Sequence, residues 1–446
     1  MEVNGLGYKP ESEDLVGKVF HSSAPLAGLF ECSDELLNQI WQNAFWGLRG
    51  NLMSVPTDCP QRDERMGWMG DAQIFCQTAN FNMDMAAFWN KWIRDIRDDQ
   101  LEDGRYPSFA PYPNKDDRYT GISAWADAGT IVPWCVYLNY ADRRLLQEHF
   151  ESARRWVDHL HRENQDLIST QKSHGVDWLN IGGSIPEKLF ATAFFAKSTE
   201  IVAGMAAILG KDNEAEKYNK LHEAIKAAFI CEFVQEDGTV AGDSQGGYAL
   251  ALAFNLVPED RRGQIAAKMV EALKKNDGKM TTGIATTHHL LLELSRNGYH
   301  QEACRLVQSR QMPSWGFVVE QGATTIWERW DGYVPDPYWA EQWDQYVPGT
   351  GFGPNAMNSF NHFVLGAVEE WMMRELAGIN PDQSQPGYKH FSIRPRIGNT
   401  LTWVKAHYDS LHGQIASNWK LDSNIATLSI TIPANTGASV WIPKKT

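Results

Sequence analysis

The chain has 446 residues, 43% hydrophobic and 22% charged, enough for one large globular domain plus an accessory module. Its formal charge of -14 argues against nucleic acid, whose affinity comes mainly from cationic contacts to phosphate, and leaves a neutral sugar open. Six widely spaced cysteines without a Cys-x-x-Cys pair read as reduced, buried thiols of a cytoplasmic protein, not as a disulfide framework or zinc site. No basic-then-apolar leader is visible, and no apolar stretch reads as long enough to cross a bilayer.

Residues 1–30 are Gly/Pro-punctuated and read as a lead-in, the remnant of a β module. Ser33 is the expected N-cap of a first helix, with Leu36, Leu37, Ile40, Trp41 and Phe45 at helical spacing. Helical runs follow over 83–99, 124–140, 143–163, 188–209, 213–232, 247–256, 260–275, 286–297, 300–309 and 356–376. With the first helix and one after Asp71 they make about a dozen, in consecutive pairs. Paired helices in that number predict a mainly α chain built on a closed (α/α)6 toroid over 31–380; solenoids also pair helices, but no fixed-period repeat is present. After Pro381 the period changes to two, and 381–446 is expected to form a small antiparallel β-sandwich.

Two segments between the helices concentrate carboxylates, cations and indoles. Asp58-Cys-Pro-Gln-Arg-Asp-Glu-Arg-Met-Gly-Trp-Met-Gly-Asp71 holds Glu64 between Arg62 and Arg65, with Trp68 close by. Thr324-Thr-Ile-Trp-Glu-Arg-Trp-Asp331 holds Glu328 between Trp327 and Trp330. Indole faces stack on sugar rings, and a carboxylic acid with a carboxylate is the minimal kit for cleaving a glycosidic bond. A salt-bridged surface loop would also explain Glu64, and an aromatic core edge would explain Glu328, although indoles around Glu328 should raise its pKa by desolvation. Asp58 and Asp71 read as hydroxyl-binding carboxylates or as turn and cap residues. Asp127 (in Trp125-Ala-Asp) and Asp177 (before Trp178) repeat the pairing of acid with indole; His362 alone reads as an ordinary core histidine. Nucleotide-binding, hydrolase-elbow and zinc motifs are missing. His288 and His289 adjoin in a helical run, where neighbouring side chains are expected to diverge. No metal or cofactor is called for.

At these segments the chain resembles the α-L-rhamnosidases of glycoside hydrolase family 78, from about Phe20 to Ile442. The resemblance rests on Asp58–Asp71, on Gly322-Ala-Thr-Thr-Ile-Trp-Glu-Arg-Trp330 and on Ser359-Phe-Asn-His362. It implies an (α/α)6 catalytic barrel with a C-terminal β-sandwich and an inverting hydrolase of terminal α-L-rhamnose. Glu64 matches the general acid and Glu328 the general base. Asp58, Arg62, Asp63, Asp71 and His362 match residues that hold sugar hydroxyls. Trp68, Trp125 and Trp178 match aromatic walls, some packed on the sugar's methyl group. Family members usually carry several β modules ahead of the barrel, which are not seen here.

The stretch from Tyr333 to Pro354, with Trp339 and Trp343, is expected to overhang the pocket and shape its aglycone side. The expected partner is a rhamnose-containing glycoside, with no membrane; an exposed barrel flank leaves room for a homodimer. Other readings of the same residues are an (α/α)6 glycosidase for another sugar, such as an L-fucoside or glucoside, and a catalytically inactive rhamnose-binding protein. A sugar epimerase would share the barrel but is expected to use histidines as acid and base.

Overall fold

Asp34, not Ser33, opens the first helix. Its carboxylate accepts the Leu36 and Leu37 amides of α1 (Glu35–Asn51), while the Ser33 hydroxyl accepts the Thr402 amide of a distant loop. These details come from a computed structural model that describes residues 5–113, 116–332, 358–398 and 400–442. The loop expected to overhang the pocket, Tyr333 to Pro354, lies outside the described residues.

Eleven more helices follow among the described residues: α2 (Met69–Asn82), α3 (Ala86–Asp98), α4 (Ala128–Tyr140), α5 (Arg143–Glu163), α6 (Glu187–Leu209), α7 (Asp212–Phe233), α8 (Gln245–Ala253), α9 (Arg262–Lys275), α10 (Thr287–Arg296), α11 (His300–Gln308) and α12 (Trp315–Glu320). The expected run over 356–376 is shorter and irregular. It passes from a 3-10 turn at Val364–Ala367 through Val368–Trp371 into a π turn at Met372–Leu376, and is called α13 here.

The sequence of each helix explains its layer. α2, α4, α6 and α8 are buried on nearly every side, and each packs on the next. α10 continues this inner series from α8, and α13 closes it by packing on both α10 and α2. α3, α5 and α11 instead carry one apolar stripe and one charged face, as outer helices must. α1 packs against α11 and α12, so the outer layer also returns to its start and the barrel is closed rather than an open solenoid.

α6 corrects one expectation. It is long and apolar enough by length and composition to cross a bilayer, but it is mostly buried, packed between α5 and α7 as a core helix. Tryptophan is also used more structurally than its clustering suggested, since Trp89, Trp92, Trp156 and Trp371 are fully buried.

The C-terminal strands form two sheets. β1 (Gly28–Cys32), β4 (Trp403–Ser410), β5 (Gly413–Asp422) and β6 (Ile425–Thr431) are joined antiparallel in the order β1-β4-β5-β6. β2 (Ile379–Pro381), β3 (His390–Ile393) and β7 (Gly437–Val440) form the other, in which β3 and β7 run parallel. The lead-in therefore supplies a strand to the C-terminal module, from Gly28↔Tyr408 to Cys32↔Val404. Ser417 Oγ and Trp419 Nε1 donate to the Ala377 and Leu376 carbonyls, which ties this module to the end of α13.

Candidate active site

Loops that lead into inner helices converge on one cavity of about 250 Å³. The segment before α2 supplies Asp58, Glu64 and Trp68, and the first turn of α2 supplies Asp71. The loop before α4 supplies Tyr119 and Trp125, the loop before α6 supplies His174 and Trp178, and the chain before α13 supplies Glu328 and His362. The volume lies just below the ~300–1,000 Å³ of drug-sized ligand sites, a size for one small polar ring rather than a chain of them.

The Asp58–Met66 loop is closed on itself. Asp58 N donates to Met66 O at 3.0 Å, and Met66 N donates back to Asp58 Oδ1 at 2.9 Å. This closure aims Arg62 inward: Nε and Nη2 hold Glu64 Oε2 at 2.8 and 2.6 Å, and Nη1 donates to the Asn358 carbonyl at 2.9 Å. The same Nη1 lies 3.4 Å from Glu328 Oε2. Trp68 Nε1 donates to the other Glu64 oxygen at 2.8 Å. Glu64 keeps a side-chain exposure of 25% against 5% for Glu328, so the two carboxylates differ sharply in access to water.

Glu328 is fixed by its own amide, which donates to Ser359 O at 2.9 Å. Burial raises its pKa, His362 and Arg62 pull it down, and Asp71 and Glu64 push it up again. Asp58 is pushed up to about 7 by burial, then by the charges of Glu64 and Asp71, against His362. His362 Nε2 stands 3.2 Å from Asp71 Oδ1, and its Nδ1 accepts the Val364 amide. Burial disfavours its imidazolium, but the Asp71 hydrogen bond and the surrounding carboxylates outweigh that and raise its pKa.

The walls are aromatic. His174 meets Trp125 and Trp68 edge-on, with ring centroids 4.9 and 5.5 Å apart, and Trp68 also packs on Tyr119 at 6.0 Å. Burial lowers the His174 pKa against the opposing charge of Asp71, which favours its uncharged ring. A side chain at Gly70 would strike the Trp125 indole at 2.6 Å, which explains the glycine one residue before Asp71. Tyr119 and His174 belong to no motif, and sequence reasoning missed both; a lone Tyr and a lone His in loops give no periodic signal.

Six expected site residues do not line the cavity, among them Arg62, which is spent on Glu64, Glu328 and the Asn358 carbonyl. Asp63 is fully exposed and pairs with Arg65 at 3.2 Å. Asp127 is buried beneath the wall, accepting Trp156 Nε1, Ser198 Oγ and the Ala124 amide. Asp177 is likewise buried, facing residues 283–286. Trp327 packs edge-on against Phe360 at 4.7 Å and Trp330 against Trp315 at 4.9 Å, so the indoles beside Glu328 point into the scaffold.

Among the described residues one set of ligand-type atoms falls together, from Asp58, Cys59 and His362, within 4.8 Å of one another. It fits a metal poorly. Both His362 nitrogens already have protein partners, and burial together with Glu328 and Asp58 raises the Cys59 pKa, opposing the thiolate a metal needs. His288 and His289 do not diverge as expected. Their ring centroids lie 3.8 Å apart, and burial lowers both pKa values. All six cysteines are free thiols; Cys231 is exposed rather than buried.

The six-hairpin glycosidase domain of bacterial α-L-rhamnosidases matches residues 25–376, and the C-terminal domain of the same enzymes matches 378–446. The chain belongs to the bacterial α-L-rhamnosidase family. A curated α-L-rhamnosidase of Streptomyces avermitilis is 40% identical over 443 residues, covering 99% of this chain and 41% of that one. Another, from Formosa agariphila, is 37% identical and covers 97% of this chain and 46% of its own. The crystal structure of the Streptomyces avermitilis α-L-rhamnosidase complexed with L-rhamnose superposes with a TM-score of 0.89 at 40% identity, covering 96% of this chain and 40% of that one. The α-L-rhamnosidase of Dictyoglumus thermophilum gives 0.88 at 35%, covering 99% and 48%. The chain thus spans less than half the length of these rhamnosidases.

Proposed function

We propose that this chain hydrolyses terminal α-L-rhamnose from rhamnosides with inversion, Glu64 acting as general acid and Glu328 as general base. The observation that carries the reading is the pair itself. Two carboxylates from separate segments line one cavity, and a single guanidinium reaches both. Inversion needs a gap of roughly 6.5–9.5 Å between the carboxyl groups, so that a water fits on the face opposite the leaving group. Glu64, at the more exposed position, meets the leaving oxygen. Glu328, at the buried one, takes a proton from that water.

The roles require Glu64 protonated and Glu328 ionised when the bond breaks. Arg62, beside Glu328, favours the ionised form of the base. Asp58 and Asp71, the latter held by His362, offer acceptors to the ring hydroxyls, while Trp68, Trp125 and Trp178 offer apolar faces to the ring and its methyl group. A hydrophobic contact separates methyl from hydroxymethyl by only ~1–3 kcal/mol, so the hydroxyl contacts must supply much of the selectivity.

The test is nitrophenol release from p-nitrophenyl α-L-rhamnopyranoside by wild type, Glu64→Gln and Glu328→Gln. Losses of ~10²–10⁴ in each folded variant are expected, the scale of a removed general acid or base. A wild type inactive on this substrate but active on a fucoside or glucoside would transfer the reading to another sugar. Rhamnose binding without turnover would leave a binding protein.

A further inference from the structure

Asp127 and Asp177 each sit beside a pocket indole, yet neither side chain reaches the pocket. Asp177 is 1% exposed and meets no lysine or arginine among the described residues. Its Oδ2 accepts the Gly283 amide at 2.7 Å and the Thr286 hydroxyl, and its Oδ1 accepts the Ala285 amide at 3.0 Å. The backbone on either side is fastened to the same loop. Ile284 N donates to Trp178 O at 2.9 Å, and Ile181 N donates to Thr281 O at 3.1 Å. A side chain at Gly283 would strike the Trp178 carbonyl at 2.3 Å, so glycine is what lets the two segments touch.

The clamped segment is strained. Val176 and Leu179 have φ of 61° and 60°, a region unfavourable for any L-residue and worst for a β-branched one. Such a backbone persists only where its surroundings over-determine it. Asp127 repeats the device before α4. Its Oδ2 accepts the amide of Ala124, another residue at positive φ (70°), immediately before the pocket residue Trp125, while its Oδ1 holds Trp156 and Ser198.

A buried carboxylate without a cation is costly, and burial pushes Asp177 up to about 6 even with three donors aimed at it. Packing alone would be served by an apolar residue. What the carboxylate adds is several convergent acceptor bonds that lock a strained loop in one geometry.

We infer that Asp127 and Asp177 are positioning residues that hold the Trp125 and Trp178 walls and so set substrate affinity without touching substrate. This rests on the rhamnoside reading for its substrate but not for the clamp. Both acid–indole pairs then work as units in which the acid faces the scaffold and the indole faces the sugar.

The experiment is a double-mutant cycle on p-nitrophenyl α-L-rhamnopyranoside with Asp177→Asn, Trp178→Ala and the double variant. It is paired with hydrogen exchange of the Gly283 and Ala285 amides in substrate-free protein. Asp177→Asn is expected to raise KM about tenfold, the size of one lost hydrogen bond to a charged group, with kcat within about twofold. The double variant is expected to match the KM of Trp178→Ala, because the acid has nothing left to position. Exchange at 283 and 285 is expected to quicken in Asp177→Asn whatever sugar the enzyme takes. Additive KM effects, or an unchanged KM in folded Asp177→Asn, would overturn the inference. If that variant does not fold, Thr286→Val removes one donor alone and should raise KM in the same direction; an unchanged KM there would overturn it equally. A wild type inactive on rhamnosides with normal clamp protection would count against the substrate reading only, and unprotected amides at 283 and 285 in wild type against the clamp.

Discussion

The Arg62 guanidinium lies 3.4 Å from Glu328 Oε2, a buried oxygen that accepts no hydrogen bond among the described residues, while the same group holds Glu64 Oε2 at 2.6 Å. One cation is therefore shared unequally between the two carboxylates. Arg62 lowers the Glu328 pKa, as does His362, while burial, Asp71 and Glu64 raise it. Arg62→Met should move the acidic limb of kcat/KM to higher pH, because a neighbouring opposite charge that favours the ionised base is removed. A pH profile on p-nitrophenyl α-L-rhamnopyranoside reads this directly; an unmoved limb would remove Arg62 from control of the base.

Trp68 has two roles that one substitution separates. Its ring packs on Phe109, Tyr119 and His174, and its N–H donates to Glu64 Oε1 at 2.8 Å. Trp68→Phe keeps most of the apolar wall and deletes the donor. Loss of a hydrogen bond to a charged group, ~1.5–3 kcal/mol, predicts a fall of about tenfold or more on a poor leaving group. The fall should be smaller on dinitrophenol, which departs without an acid. Equal losses on both leaving groups would place the effect on binding instead.

Asp58 gives a stability prediction with a defined sign. Its folded pKa is raised to about 7, chiefly by burial and next by Glu64, so folding favours its neutral form. That contribution is fully present below the unfolded value near ~4 and is lost as pH rises through about 7. Asp58→Asn keeps an acceptor for the Met66 amide and cannot ionise. Its Tm relative to wild type should therefore be higher at pH 8 than at pH 5, as read by calorimetry. An identical difference at both pH values would contradict the buried, charge-crowded setting of Asp58.

The helical frame was legible because hydrophobic period survives from sequence to packing. The run expected over 143–163 is α5, and the run expected over 188–209 is α6 with one residue added. α12 was missed because six residues cannot display a period, and α13 is shorter because it begins only at Val364, residues 358–363 running as loop past the site. A remnant β element was expected in the lead-in, but its pairing was missed for a different reason: the partner β4 lies far along the chain, and nothing local records that pairing.

In the site, adjacency was readable but direction was not. Trp-Ala-Asp and Asp-Trp suggest acid and indole acting together, yet Asp127 and Asp177 turn into the scaffold while Trp125 and Trp178 turn into the cavity. Glu328 shows the reverse, with the acid in the cavity and its flanking indoles in the core. Loop side chains have no fixed period, so only tertiary contacts decide which of two neighbours faces the ligand.

Inversion by Glu64 and Glu328 is tested most directly by the anomer released first. Proton NMR of wild-type hydrolysis of p-nitrophenyl α-L-rhamnopyranoside, followed from the earliest time point, should show β-L-rhamnose ahead of mutarotation. Initial release of α-L-rhamnose would contradict a water activated by Glu328 and would require a covalent intermediate on one of the two carboxylates.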